Sequence, residues 1–278
     1  MIVGVLARAQ RYSPVEIHAF VFLSNHYHLL LSVSDALQLS RFMNFLNSNL
    51  AREAGRLHGW KEKFWGRRYQ AVLVSEEEEA QIGRLRYLLS HGCKEGLVAH
   101  PSDWPGVHCA EALTTGRPVV GLWRDRTQES LAKGRGEATH QRSRFVTKES
   151  FDVAPLPCWH HLSNQQWRHR IRGMIEEIQS ATAVHHAQER SRPMGARAIL
   201  SQRPHDRPQD LQRSRAPVVH AASKSVRDEL LEAYRWFVGA FREAASGLRK
   251  DHRHRGFPEG SFPPGSPFVA ISVEMAPG

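Results

Sequence analysis

The chain is poor in cysteine: its 278 residues carry three, Cys93, Cys109 and Cys158, far apart and without CxxC spacing. That count and spacing argue against a disulfide framework or a structural zinc ribbon, and a reducing cytoplasm is the expected compartment. Long apolar runs are also missing. None approaches the roughly 18 to 20 residues that a membrane-spanning helix needs. The opening MIVGVLARAQRY lacks a basic start, a long apolar core and a cleavage site, so export is not expected. Acid is scarce relative to base, with 28 Asp and Glu against 38 Lys and Arg and a formal charge of +10. Such an excess favours a polyanionic partner, nucleic acid before an acidic membrane surface, because each neutralised phosphate releases counterions. The 41% of hydrophobic residues suffices for a core, and 17 histidines offer an unusual stock of metal ligands.

Residues 1–12 read as a helix that breaks at Ser13-Pro14. VEIHAFVFLS (15–24) and NHYHLLLSV (25–33) are β-branched and aromatic, and read as an antiparallel hairpin turning at Ser24-Asn25. From Ser40, the segment RFMNFLNSNLAREAGRLHG sets Phe42, Met43, Leu46, Leu50 and Leu57 at helical spacing, with Gly59 as the stop. FWGRRYQAVLVS (64–75) has strand composition. EEEEAQIGRLRYLLSH (76–91) reads as a helix whose N-terminal acids suit the macrodipole. This order predicts helices packed on an antiparallel sheet.

Beyond it the chain changes character. Residues 117–160 read as short helices and loops, and 160–190 as a helix with Trp167, Ile171, Ile175 and Ile178 as its stripe. Residues 190–217, with four prolines and many arginines, read as a solvated basic linker. Residues 224–249 read as an amphipathic helix carrying Leu230, Tyr234, Phe237, Phe241 and Leu248, ahead of a Pro/Gly-rich tail.

The chemistry concentrates at two places. His26 and His28 lie two apart on a strand, so both imidazoles share a face while Tyr27 points away. Neutral imidazoles are good ligands for a divalent metal, although an HxH pair can also arise by chance in a His-rich chain. On the helix, Tyr87 and His91 are four apart and share a face, with Arg84 one turn before. Tyr87 could equally be a half-buried aromatic with a satisfied hydroxyl. Three protein ligands leave positions open on an ion, as catalysis requires. A phenol with a reference pKa of about 10 attacks a phosphate only if that phosphate is polarised or the proton is removed.

HYHLLL after VEIHAFVFLSN, then FWGRRYQAVLV, then a tyrosine-bearing helix followed by KEGLV and DWPG, resembles the HUH single-tyrosine transposases. Within them the REP-associated tyrosine transposases are the nearest likeness, over most of residues 5–110. From about residue 194 onward, GARAILSQRPHDRP, PVVHAAS, AYRWFVGAFREAA and FPEGSFPPGSPFV resemble the long form's C-terminal extension.

The resemblance implies an α+β fold, a ferredoxin-like antiparallel sheet with helices on one face and a mainly helical or irregular extension. The domains expected are a catalytic domain at 1–115, a mixed region at 116–190, a basic linker at 191–217 and an extension at 218–278. It implies His26 and His28 as metal ligands for Mg²⁺ or Mn²⁺, and Tyr87 as the nucleophile that retains a 5′-phosphotyrosine and frees a 3′-OH. His91 falls where relatives carry the Asn or Gln that completes the metal site. Single-stranded DNA at hairpin or palindromic ends is the implied partner, with no membrane, and a homodimer is left open. Relatives have a further strand before the segment matched by residues 1–12, and the sequence read here opens without it. An exposed sheet edge is therefore expected.

Lys63, Arg67 and Arg68 around Trp65 and Tyr69 suit single-stranded DNA, or equally a charged strand edge; with Arg84 they are the candidate DNA-binding residues. Glu76–Glu79 read as a helix N-terminal acid run. His160-His161 and His185-His186 read as surface residues, and Arg249, Lys250, His252, Arg253, His254 and Arg255 as a basic knot. Two other functions fit the same residues. One is a transposase-derived DNA-binding protein without catalysis; the other is a zinc hydrolase in which water is the nucleophile.

Overall fold

The computed structural model describes residues 1–137, 142–203, 217–250 and 256–264. The residues fall into two compact units, Met1–Ala222 and Ser223–Gly278. The first runs α1 (Ile2–Tyr12), β1 (Glu16–Phe22), β2 (Tyr27–Ser32), α2 (Ala36–His58), β3 (Leu73–Val74), α3 (Glu78–Leu89) and α4 (Ala110–Thr115). It continues through β4 (Val119–Arg124), α5 (Arg126–Gly134), β5 (Val146–Phe151), α6 (Asn164–Gln188), α7 (Ala196–Ser201) and β6 (Val219–His220). The second contains α8 (Lys224–Arg249).

The architecture is α+β, with helices packed on a small antiparallel sheet. β1 and β2 pair from Glu16↔Ser32 to Phe22↔Tyr27, with an irregularity between Ile17 and Ala19. Six successive residues of β1, Ile17 to Phe22, are buried, so both faces of this strand are covered. α3 packs against β1 and β2. On the other face, Tyr27 of β2 reaches Asn47 of α2. Two further pairs, β3 with β6 and β4 with β5, complete the described strands.

The edge of β1 is not exposed as the resemblance led us to expect. Ala154 N–H donates to Ile17 O at 2.9 Å, Cys109 N–H to Phe20 O at 3.1 Å, and Phe22 N–H to Val107 O at 2.9 Å. The Trp104 indole N–H adds a bond to Phe22 O at 2.9 Å. Later segments thus satisfy backbone groups that a neighbouring strand would otherwise take.

Several sequence expectations are corrected. The helix expected from Ser40 begins at Ala36, because the Asp35 carboxylate caps it by accepting from Gln38 N–H at 2.7 Å. Phe42, Met43, Leu46 and Leu50 are buried as expected, whereas Leu57, near the helix end, is 69% exposed. The strand expected over 64–75 shortens to Leu73–Val74. Its aromatics pack from a loop instead, with the Trp65 indole donating to Asn47 O at 2.9 Å.

Residues 117–160 hold the antiparallel β4–β5 pair, with α5 between the two strands, not only helices and loops. α6 matches the expected helix, and its Trp167, Ile171, Ile175 and Ile178 join the core that contains Phe20, Phe42 and Leu89. His186 is buried, unlike His160, His161 and His185, which are exposed as read. The stretch read as a solvated linker begins docked: Met194 N–H donates to Gly96 O at 2.9 Å and Gly195 N–H to Leu97 O at 2.8 Å. Residues 204–216 of that stretch, His252, Arg253, His254 and Arg255 of the basic knot, and the tail from 265 lie outside the described residues. Within the second unit, Ser223 caps α8 by accepting from Val226 N–H at 3.4 Å, and Phe241 meets Phe257 at 5.3 Å between ring centroids. Tyr234 of the expected stripe is 46% exposed. Among the described residues, no helix is long and apolar enough to cross a membrane.

Candidate active site

The hairpin turn sets the first two imidazoles. Leu23 N–H donates to His26 O at 2.9 Å across Ser24-Asn25, which fixes where the alternation of β2 begins. His26 and His28 then share a face and Tyr27 takes the other. The Tyr27 hydroxyl donates to Asn47 Oδ1 at 2.6 Å, and its ring stacks on Phe22 at 5.0 Å. Burial pushes this phenol up to about 12, so Tyr27 remains a protonated structural donor.

His26 Nδ1 lies 2.6 Å from Asn25 Oδ1. An amide oxygen only accepts, so Nδ1 carries the proton and the Nε2 lone pair is free for a ligand.

α3 brings the other two side chains. His91 follows its last turn, and Gly92 then reverses the chain at φ +89. A side chain there would be strained by that conformation and would meet Trp104 and Val98 at 3.3 Å. The reversal carries Lys94 and Glu95 back toward the helix end. Glu95 Oε2 accepts from Gly92 N–H at 2.6 Å, and Oε1 stands 3.4 Å from His91 Nδ1. That Nδ1 is buried and makes no hydrogen bond of acceptable angle.

The three histidines converge. His26 Nε2 and His91 Nε2 are 3.4 Å apart, and one ligand atom from each of His26, His28 and His91 lies within 4.8 Å of the others. Two nitrogens on a tetrahedral ion with bonds of about 2.0–2.1 Å stand roughly 3.3–3.4 Å apart, so the spacing of His26 and His91 suits a divalent metal, with His28 near enough to be a third ligand. Burial lowers the proton affinity of all three, and of His28 to about 4, where His91, His26, Lys94 and Arg84 add to the effect. At neutral pH the imidazoles are therefore in the ligating, uncharged form.

Tyr87 is half-buried beside them, its ring 5.5 Å from that of His28 and 5.3 Å from that of His91. Arg84 Cζ lies 4.9 Å from the ring centre and Lys94 Nζ 4.2 Å. Arg84 in turn donates from Nη1 to His220 Nε2 at 2.8 Å.

The structure thus brings together His26, His28, Tyr87, His91 and Arg84. Lys63, Arg67 and Arg68 are exposed on the loop between α2 and β3. No hydrogen bond or ring contact among the described residues joins them to the trio. Lys94, Glu95 and His220 were missed. Glu95, four residues past His91, could have been found from that spacing; His220 could not, since it arrives from a strand of two residues.

A metal-capable histidine trio beside a helical tyrosine, on an α+β scaffold, is consistent with an HUH single-tyrosine transposase-like protein, which a family comparison supports. Residues 2–87 match the family model described as "Transposase IS200 like". That match supports a transposase-type, DNA-processing function acting on DNA. No curated protein matches the chain, and neither does any solved structure.

Proposed function

We propose that this protein cleaves and rejoins single-stranded DNA by transesterification through Tyr87, with Mg²⁺ or Mn²⁺ held by His26, His28 and His91. The observation that carries the reading is the Tyr87 ring within 5.5 Å of two of the three clustered imidazoles. When bound, a divalent cation there supplies Lewis-acid polarisation of the scissile phosphate. The Tyr87 oxygen forms a bond to phosphorus and the bond to the 3′ oxygen breaks. The phenol loses a proton and the departing 3′ oxygen gains one, so the step is proton-neutral overall. The 5′-phosphotyrosine keeps the energy of the phosphodiester, and attack by a 3′-OH reverses the step without ATP.

Lys63, Arg67 and Arg68 would meet the DNA backbone electrostatically, without base preference, and their exposure supports that role. The substrate class is single-stranded DNA at hairpin or palindromic ends, by likeness to the family.

The test is covalent trapping on a suicide hairpin oligonucleotide with Mn²⁺. Wild type is expected to form an SDS-resistant protein–DNA adduct, and Tyr87→Phe none. Cleavage that survives in Tyr87→Phe would identify water as the nucleophile and overturn the assignment. DNA binding with no adduct in wild type would leave a binding protein.

A further inference from the structure

Arg84 is a half-buried cation for which no carboxylate partner exists among the described residues. Its neighbour Arg86, two residues on, pairs with Glu177 at 2.5 Å. Arg84 instead donates to a neutral ring nitrogen, His220 Nε2, at 2.8 Å. Accepting at Nε2 requires the uncharged imidazole, and burial together with Arg84 itself holds the His220 pKa below its usual value. A carboxylate in that place would fix the guanidinium and cancel its charge. A neutral imidazole fixes it and leaves the charge intact, with further N–H donors of the fork free.

His220 is itself firmly held. β6 runs parallel to β3 in the register Leu73↔Val219 and Val74↔His220. Leu73 N–H donates to Val218 O at 3.1 Å and Ser75 N–H to His220 O at 2.9 Å. The Gln70 amide donates to Pro217 O at 3.1 Å, and Ala222 N–H to Glu77 Oε2 at 2.8 Å. These contacts tie residues 217–222 to β3 and to the chain on either side of it, up to the start of α3. Lys94 completes the picture: its ammonium lies over Tyr87, and its one described acidic neighbour, Glu95 at 3.5 Å, is a solvent-exposed pair of little strength.

We propose that Arg84 and Lys94 form the seat of the scissile phosphodiester beside Tyr87, and that His220 is the positioning residue that aims Arg84 into it. The proposal rests on the Tyr87 reading above. It makes residues 217–222, far along the chain, a working part of the site.

The test uses the full chain. Single-turnover adduct formation is measured with Mn²⁺, and the salt dependence of oligonucleotide binding is measured in a Tyr87→Phe background. Arg84→Gln and Lys94→Gln are each expected to slow adduct formation roughly 10- to 100-fold and to reduce the salt slope by about one. His220→Ala is expected to slow it roughly tenfold with Mn²⁺ affinity unchanged, and His220→Gln, which keeps an acceptor, to recover most of the rate. Arg84→Gln/His220→Ala is expected to be no slower than Arg84→Gln, since His220 acts through Arg84. Wild-type rate in His220→Ala, multiplied losses in the double variant, or no recovery by His220→Gln would overturn the positioning role. If wild type forms no adduct, the Tyr87 reading fails by itself; the phosphate seat still stands or falls on the salt slope, and an unchanged slope in both Arg84→Gln and Lys94→Gln overturns it.

Discussion

His26 Nε2 and His91 Nε2 lie 3.4 Å apart although one sits at a hairpin turn and the other beyond the end of α3, 65 residues later. Each has its second ring nitrogen aimed at an oxygen, Asn25 Oδ1 for His26 and the Glu95 carboxylate for His91. The bond to Asn25 turns the His26 Nε2 lone pair toward His91 Nε2, and a proton on His91 Nε2 or a cation between the two nitrogens relieves the repulsion of facing lone pairs.

Under the proposed function, the donors set which divalent cation the trio would prefer. Nitrogen ligands suit the later, softer first-row ions, while Mg²⁺ prefers an octahedron of oxygens. The family likeness places an amide at the position of His91, so the third imidazole shifts the site toward Mn²⁺ and away from Mg²⁺. Calorimetric titration of the full chain is expected to give tighter binding of Mn²⁺ than of Mg²⁺. His91→Asn, which substitutes an oxygen donor, is expected to narrow the ratio by about tenfold. An unchanged ratio would show that His91 does not ligate.

Glu95 has the geometry of an outer-shell partner, holding the Gly92 turn with one oxygen and standing 3.4 Å from His91 Nδ1 with the other. Outer-shell carboxylates of this kind are worth roughly 10- to 100-fold in metal affinity. Glu95→Ala is expected to weaken Mn²⁺ binding within that range. Glu95→Gln, whose one amide oxygen can accept from only one of the two groups, should lose less than Glu95→Ala. Equal losses in the two variants would point to charge alone, and no loss in either would remove Glu95 from the site.

Much of the site was legible because its signals are local. Alternation on β2 separates His26 and His28 from Tyr27, and the four-residue helical step joins Tyr87 to His91. What escaped depends on long-range pairing. The aromatic and β-branched composition of 64–75 suggests a strand, but Trp65 and Tyr69 gain their burial from a loop, and only Leu73 and Val74 find a strand partner. That partner is β6, which also accepts from Ser75 N–H and is too short to carry a periodicity. In the β4–β5 pair, polar Thr147, Lys148 and Glu149 and the glycine at 121 mask the alternation on which a strand reading depends. The edge of β1 was expected bare because the sequence opens without the strand that relatives carry ahead of residues 1–12, and the cover it has instead comes from 107–109 and 154, segments with no strand signal of their own.

Acid is expected to loosen the first unit through His108. Its Nδ1 accepts from Ala110 N–H at 3.0 Å, so the ring is neutral, and burial pushes its pKa down to about 4. The folded value lies below the ordinary 6.5, so the contribution to stability is complete above pH 6.5 and is lost as pH falls through 4. The shift corresponds to about 3 kcal/mol at most. Urea unfolding of the full chain in EDTA should show stability falling across that window. His108→Asn keeps an acceptor for Ala110 N–H and does not titrate, so the fall should flatten. His18, His26, His28, His91 and His220, also depressed by burial, leave part of the slope in the variant. An identical slope in both proteins would count against His108 as the titrating group.

The close approach of α1 to β4 makes the last prediction. A Cβ on Gly4 would stand 2.0 Å from Leu122 O, and one on Gly121 would stand 2.4 Å from Gly4 N, so helix and strand touch backbone to backbone. Alanine is a better helix former than glycine by about 1 kcal/mol, which alone would favour Gly4→Ala. Here the obstacle is main chain that no rotamer change can relieve, and such overpacking costs about 1–3 kcal/mol. Gly4→Ala is therefore expected to lower the urea midpoint. Gly83→Ala, inside α3 with nothing within 4 Å of its added carbon, should raise it by the propensity difference. A Gly4→Ala protein as stable as Gly83→Ala would mean that α1 does not lie against the β4 backbone, and that something other than this strand pair covers the helix.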